Sequence, residues 1–543
     1  MHGLRTSDTF HSTGAAALDR LIAALREPAR YPHAVEQVEL LQTHISCVLL
    51  AGDYAYKIKK PVNLGFLDFS SLDARRHFCE EELRLNRRTA PALYLDVVAI
   101  GGSAHAPLLG GDGPAIEYAL RMRRFAQDDL LDRMARRGAL APRHIDALAR
   151  GIAAFHAQIE RAGAGRGFGD PERILAPAQQ NFEQLLPLAR AKADIAQLAR
   201  LRDWTAREHA ALATVFAARK RAGWVRECHG DLHLGNIALL EGVPTPFDAI
   251  EFNPDLRWCD VMSEIAFLVM DLLDHGLPRL AFRFLNAYLE CTGDYAGLAV
   301  LRFYLVYRAL VRAKVSCLRA HQAGIAAAEK SDVEREYRRH LHLAERLAAP
   351  RCAALATMHG YSGSGKTTVA QGLLEALGAV RLRSDVERKR LHGLSAQTRS
   401  DSGLGAGLYA LAAGERTYAR LAELARAVLA ARYPVIVDAA FLKRAERDRF
   451  AELAHGAGAH YVIIACTAPI ATLRARVAAR ERAADDASDA GVAVLEHQIA
   501  TAQPLAPDEA ACVFALDAEH GAGAPEAAAL ARRLGLDPDR QMA

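Results

Sequence analysis

Gly360-Tyr361-Ser362-Gly363-Ser364-Gly365-Lys366-Thr367 fills every fixed position of the pattern G-x-x-x-x-G-K-[ST]. Leu355 to His359 before it reads as a short buried strand, and Thr368 to Leu377 after it as a helix stopped by Gly378. Strand, glycine loop and helix start, in that order, form an anion cradle in which backbone N–H groups and the helix dipole converge on phosphate oxygens. Gly360, Ser362, Gly363, Ser364, Gly365, Lys366, Thr367 and Thr368 are the residues expected to line it. Lys366 would reach the β- and γ-phosphates, and the Thr367 hydroxyl would hold Mg2+. At ordinary residue usage the four fixed positions coincide by accident in roughly one chain in a hundred of this length. With the flanking strand and helix also required, the pattern predicts a nucleoside triphosphate site rather than a Gly/Ser turn.

Downstream the order strand, loop, helix repeats, which predicts a parallel α/β sheet. Tyr433 to Asp438 is an apolar strand ending in a carboxylate, the place from which Asp438 would orient Mg2+. Ala439 and Ala440 follow it where motor ATPases carry a Glu, so transfer to an acceptor is favoured over water-driven translocation. A second strand ends at Leu382-Arg383-Ser384-Asp385, with Arg388 one helical turn on. Asp385 could deprotonate an acceptor hydroxyl while Arg388 holds its anionic part. A helix bearing Arg474, Arg476, Arg480 and Arg482 comes next, then the polar stretch 483–489, and a last strand at Cys512 to Leu516.

At 543 residues the chain is too long for that unit alone. Its 51% hydrophobic and 24% charged content is that of a globular protein with ample core. A formal charge of +4 is nearly neutral at this length and argues against a nucleic-acid surface. The nine cysteines show no C-x-x-C or zinc spacing, the pattern of free thiols in a reducing compartment. The first twenty residues carry Asp8, Asp19 and Arg20 and no apolar leader core, and the apolar run Ile265 to Leu273 is too short to span a bilayer. A cytoplasmic protein without membrane segments is expected. Pro350, between a charged helical run at 325–348 and the strand feeding the phosphate loop, marks the seam: 1–349 and 350–543.

Ahead of the seam, Ser46 to Leu50 and Tyr54 to Lys59 read as a hairpin turning at Ala51-Gly52-Asp53. A helix at about 73–89 follows, with Leu72, Arg76, Cys79, Leu83 and Asn86 near one face, then strands around 97–100 and 116–122. From 128 to 348 the pattern is helical, interrupted around 223–256. A small β-rich lobe followed by a large helical lobe is therefore expected. The interruption holds His229-Gly230-Asp231-Leu232-His233-Leu234-Gly235-Asn236 and then Phe247-Asp248-Ala249-Ile250-Glu251, with Asp248 twelve residues after Asn236. Phosphoryl transfer needs such parts: a carboxylate for the acceptor hydroxyl, an amide oxygen and second carboxylate for the metal, and a strand lysine for the phosphates.

The motif H-G-D-x-x-x-x-N at His229 to Asn236 resembles that of the aminoglycoside phosphotransferase family, over residues 1–345. The resemblance implies a bilobal, protein-kinase-like fold. It makes Asp231 the catalytic base, Asn236 and Asp248 metal ligands, and Asp260 the later structural Asp. Lys57 would be the phosphate lysine, with Lys59 two positions along as competitor, and Glu82 or its neighbour Glu81 the helix carboxylate paired with it. His229 reads as a brace for the loop rather than a reacting group, and His233 more weakly still. The chain departs from wider kinases in lacking G-x-G-x-x-G, in carrying Ala249-Ile250 after Asp248, and in offering Glu251 as a rival metal ligand.

The arginine-bearing helix and polar stretch are similar to the lid of P-loop small-molecule kinases such as gluconate kinases, chloramphenicol phosphotransferases and polynucleotide 5′-kinases. That similarity sets Arg476 and Arg480 near the γ-phosphate. The whole chain resembles bacterial proteins that fuse an aminoglycoside-phosphotransferase-family enzyme to a P-loop, AAA-type ATP-binding domain. It implies α+β and α/β domains in tandem, ATP and Mg2+ as cofactors, and a small hydroxylated acceptor as partner. Two rivals stand beside this reading: a nucleotide-responsive regulator with one silent module, and a polynucleotide 5′-kinase-like enzyme.

Overall fold

The structure, a computed structural model, describes residues 8–63, 65, 67–111, 113–163, 165–322, 324–394, 411–483, 491–517 and 523–537. It divides into two compact units: Met1–Leu140 with Phe155–Gly169 and Gly223–Glu264, and Ala141–Ala154 with Asp170–Ala222 and Ile265–Ala543. Among the described residues no helix is long and apolar enough to cross a membrane.

The first unit is built on an antiparallel sheet of β1 (Val38–Gln42), β2 (Ser46–Ala51), β3 (Tyr54–Lys59), β4 (Tyr94–Ser103), β5 (Ala106–Leu109) and β6 (Glu117–Arg123), in the order β1-β2-β3-β6-β4-β5. The β2–β3 turn needs glycine: Gly52 has φ +57, and a Cβ there would stand 2.7 Å from the Ala34 carbonyl oxygen. Helix Leu72–Asn86 starts on Ser71, whose hydroxyl accepts the Ala74 N–H at 3.1 Å. Its buried face is Arg75, Cys79, Glu82, Leu85 and Asn86: Cys79 and Asn86 are buried as expected, while Arg75, Glu82 and Leu85 take the places expected for Leu72, Arg76 and Leu83. Buried charge pairs set the rotation. Arg75 Nε donates to Glu117 at 2.9 Å, and Glu82 meets two lysines of β3.

Residues 223–264 add two ribbons: β7 (Val225–Glu227) with β10 (Trp258–Asp260), and β8 (Ile237–Leu240) with β9 (Val243–Pro246). The β7–β10 pairing has too few residues to show a periodic signal and was not expected. Between β9 and β10 the apolar run 247–252 forms no strand, because its N–H groups go to side chains and to the His229 carbonyl instead of a ladder.

The second unit combines helices Pro171–Leu185, Lys192–Arg221, Pro278–Thr292, Leu298–Ala320 and Ala327–Ala348 with a parallel sheet. Strands β11 (Ala354–His359), β12 (Val380–Arg383), β13 (Val435–Asp438), β14 (His460–Thr467) and β15 (Val513–Asp517) run in the order β12-β13-β11-β14-β15. The middle strands are covered on both faces, as parallel sheets require. Val435, Ile436 and Val437 are at most 1% exposed, each contributing roughly 2 kcal/mol of burial. Helix Lys366–Leu377 ends on Gly378 at φ +62, whose N–H returns to the Leu374 carbonyl. Helix Pro278–Thr292 lies along the β12 edge of the sheet. Asn286 Nδ2 donates to the Ala379 carbonyl at 2.9 Å, and its Oδ1 accepts the Arg381 N–H at 2.7 Å. Arg381 Nη2 then donates to Glu290 at 2.7 Å, and Arg283 Nη1 to Glu375 of the phosphate-loop helix at 2.7 Å. The expected β-rich front lobe and the parallel α/β sheet behind the phosphate loop are thus both present.

Candidate functional site

In the second unit the phosphate loop leaves β11 through three glycines with positive φ: Gly360 at +145, Gly363 at +81 and Gly365 at +81. At Gly360 a Cβ would stand 2.4 Å from the Cys466 carbonyl oxygen, so the backbone approach excludes any side chain. The loop opens into a cavity of about 400 Å³. Ser362, Gly363, Gly365, Lys366, Thr367 and Thr368 line it from the loop; Asp385, Arg388, Asp438, Arg476 and Arg480 line it from elsewhere. Lys366 Nζ donates to the Tyr361 carbonyl at 2.7 Å, and burial pulls its ammonium below the ordinary lysine range, with Asp438 opposing. Among the described residues, Ser364 Oγ and Asp438 Oδ2 are buried without a hydrogen-bond partner. A basic cavity lined by a carboxylate with an orphaned oxygen, a hard donor, fits a triphosphate and its divalent metal, whereas Gly360 and Ser364 do not line it.

Asp385 lies in the first turn of helix Ser384–Leu391 and accepts from Arg388 at 2.8 Å. Arg476 reaches the Gly363 carbonyl at 3.5 Å, whereas Arg474 turns away to Glu496 at 2.6 Å. Residues 484–489 of the polar stretch after them lie outside the described residues. Gln498, on helix Val492–Thr501, accepts the Ser362 N–H at 2.8 Å and lines the cavity, as does Tyr418. Neither was singled out from sequence, since one amide far along the chain leaves no pattern.

In the first unit the key contact is at Lys57. Its Nζ donates to Glu82 Oε1 at 2.7 Å and to Asp248 Oδ1 at 2.5 Å, joining strand, helix and the 247–252 segment. Burial alone would lower the Lys57 pKa, but Asp248 and Glu82 hold it well above the ordinary range. Lys59 takes the other oxygen of Glu82 at 2.7 Å and pairs with Glu251. Glu81 faces elsewhere, onto Arg84 and Arg257. Asp248 adopts φ +64, held by its own N–H to the Tyr94 hydroxyl at 3.0 Å and the Ala249 N–H to Asn86 Oδ1 at 2.8 Å. Its carboxylate is 42% exposed, a hard oxygen donor of the kind Mg2+ takes.

Asn236 Nδ2 donates to Asp231 Oδ2 at 2.9 Å and to the Asp231 carbonyl at 3.0 Å, so amide and carboxylate share one tight loop. His233 Nε2 lies 3.4 Å from the same carboxylate oxygen. His229 accepts the Asp231 N–H through Nδ1 at 3.3 Å and donates from Nε2 to the Phe247 carbonyl at 2.9 Å. Burial lowers its pKa, which keeps the ring neutral and suits it to bracing. Glu264 accepts the N–H groups of His229 at 2.7 Å and Gly230 at 2.8 Å. Burial raises its pKa, but His156 and these donors bring it down to about 2. Asp260 caps the following helix by accepting the Met262 N–H at 2.9 Å. Tyr94 and Glu264 escaped the sequence reading, and Asn86 was expected only as an inner-face residue, because their partners lie far away in the chain.

A family model described as an AAA domain matches residues 355–505. An uncharacterized protein of Mycobacterium tuberculosis is 30% identical over 476 residues, which covers 86% of this chain and 93% of that protein. Among solved structures, the amicoumacin kinase hAmiN, in complex with AMP-PNP, Ca2+ and Ami, aligns over 61% of this chain and 96% of its own at 15% identity and a TM-score of 0.39. A gluconokinase from Sinorhizobium meliloti aligns over 34% of this chain and 96% of its own at 23% identity and a TM-score of 0.24. With 30% identity along nearly the whole mycobacterial relative, the chain belongs to that protein's family, and its residues 355–505 match the AAA-domain model.

Proposed function

We propose that this protein is an ATP- and Mg2+-dependent phosphotransferase whose two modules, 1–349 and 350–543, each take a nucleotide and act on a small hydroxylated acceptor. The observation that carries the reading is the double contact of Lys57 with Glu82 and Asp248, residues 25 and 191 positions away in the chain. When bound, Mg2+-ATP supplies the transferable phosphoryl group and neutralises charge along its line of transfer. In the front module Asn236 and Asp248 are the metal's ligands, and Lys57 donates to phosphate oxygens. Asp231 accepts the acceptor's hydroxyl proton, its carboxylate oriented by Asn236 Nδ2.

In the rear module the loop N–H groups and Lys366 grip the phosphates, while Thr367 and Asp438 hold the metal. Asp385 takes the acceptor proton and Arg388 grips an anionic part of the acceptor. Arg476 and Arg480 stand at the terminal phosphate. Purified protein, ATP and a panel of hydroxylated metabolites test the reading. Asp231→Ala and Lys366→Ala are each expected to abolish one acceptor-dependent ATP consumption, by at least a hundredfold; ATP turnover that no acceptor stimulates would count against it.

A further inference from the structure

Behind the Lys57 contact lies a second set of charges that the proposed chemistry does not use. Lys59 is 1% exposed, Glu82 0% and Glu251 5%. Residues two apart on a strand share a face, so Lys57 and Lys59 meet the same helix carboxylate, each at its own oxygen. Lys59 then spans to Glu251, and its ammonium stands 4.9 Å from the centroid of the Phe69 ring. Neither alternative reading of these residues suits the geometry. Lys59 is too deeply enclosed to grip a phosphate, whereas Lys57 keeps 14% of its side chain exposed. Glu251 is enclosed as well, with Oε1 committed to Lys59.

Buried ion pairs are weak sources of stability, because desolvation offsets most of the attraction; their best-attested use is to fix register. Here there is a register to fix. Asp248 sits at φ +64 in a segment with no ladder of its own. Such a backbone persists only where its surroundings over-determine it. The near side is tied by the Ala249 N–H to Asn86 and the Ile250 N–H to the His229 carbonyl. The far side is tied by Glu251, whose side chain is held by Lys59 and whose carbonyl accepts from Arg257 at 3.1 Å.

We infer that Lys59 and Glu251 are a pair of positioning residues for the front site: they fasten the segment bearing Asp248 to β3, so that its carboxylate stands beside Lys57 before any nucleotide arrives. The segment is assembled constitutively rather than swung into place on binding. The inference rests on the proposed reading of the front module.

The test uses the full-length chain in a Lys366→Ala background, so that titrated nucleotide reports the front site. Lys59→Met with Glu251→Met removes both charges together; Glu82 loses Lys59 from Oε2 but keeps Lys57 on Oε1. In the ligand-free protein, the Ala249 and Ile250 amides should exchange with solvent at least tenfold faster, with β3 amides unchanged. The Mg2+ concentration for half-maximal support of ATP binding should rise at least tenfold, and metal-free ATP affinity should change less than threefold. Glu251→Asp, which keeps the charge but retracts it, should shift the Mg2+ midpoint at least threefold in the same direction and covers the case of a double variant that does not fold. Unchanged exchange and an unchanged Mg2+ midpoint in a folded variant overturn the pairing alone. A Lys366→Ala chain that binds no nucleotide overturns the front-site reading, and the pairing with it.

Discussion

Glu264 shows how one side chain can govern a loop without touching its chemistry. Its two oxygens take the N–H groups of His229 and Gly230, the residues leading into Asp231. Its pKa falls from the usual 4.5 to about 2 in the folded chain. A depressed carboxylate adds stability that is complete above pH 4.5 and is lost as pH falls toward 2, since the folded state resists the proton that the unfolded state accepts. The difference corresponds to about 3 kcal/mol at neutral pH. Glu264→Gln should therefore unfold more easily by about that amount at pH 7 in urea titrations, and the gap to the natural chain should shrink below about 1 kcal/mol near pH 2. A gap independent of pH would mean that the carboxylate's charge is not what the two amides use. Of the residues in this loop, Asp231 and Asn236 were legible in the sequence because their spacing is fixed by the loop itself. Glu264 was not, because a carboxylate on an apolar helix looks the same whether it braces a loop or faces a neighbouring cation.

At the scale of elements, the helix Pro278–Thr292 and strand β12 make a joint through one amide. Asn286 is 2% exposed and satisfies both the Ala379 carbonyl and the Arg381 N–H. Asn286→Ala would leave a buried donor and a buried acceptor without partners, each costing about 1–3 kcal/mol. Amide exchange at Arg381 should accelerate at least tenfold while β13 and β14 keep their protection, and melting should fall by several degrees; uniform exchange across the sheet would show that the joint is dispensable. The phosphate loop and parallel strands were readable in advance, since glycine identities and unbroken apolar runs report backbone geometry and two-sided burial directly. On the inner face of helix Leu72–Asn86 Cys79 and Asn86 were legible, but Arg75 and Glu82 were not, because apolar spacing does not register a buried arginine or glutamate. The short β7–β10 ribbon and the Asn286 joint are tertiary facts, and no window of sequence contains both partners.

At the scale of the molecule, composition changes at Pro350 but packing does not break there: helices upstream of it and the P-loop sheet fall in one compact unit. Element order and core therefore divide the chain at different places. A fragment comprising 350–543 keeps the whole phosphate loop and loses helix Pro278–Thr292. It is expected to melt well below the full chain and to scatter light on warming; a monomeric fragment with full-chain thermal stability would refute this.

The reason lies at the outer margin of β12. A strand with no neighbour on one side offers its main chain as a template to any extended segment, and proteins commonly guard such margins with charge, proline or a covering element. Here the guard is borrowed from 95 positions upstream, a single carboxamide backed by Glu290 and Arg381. A rear half separated from helix Pro278–Thr292 would therefore present the β12 margin to strand-to-strand pairing.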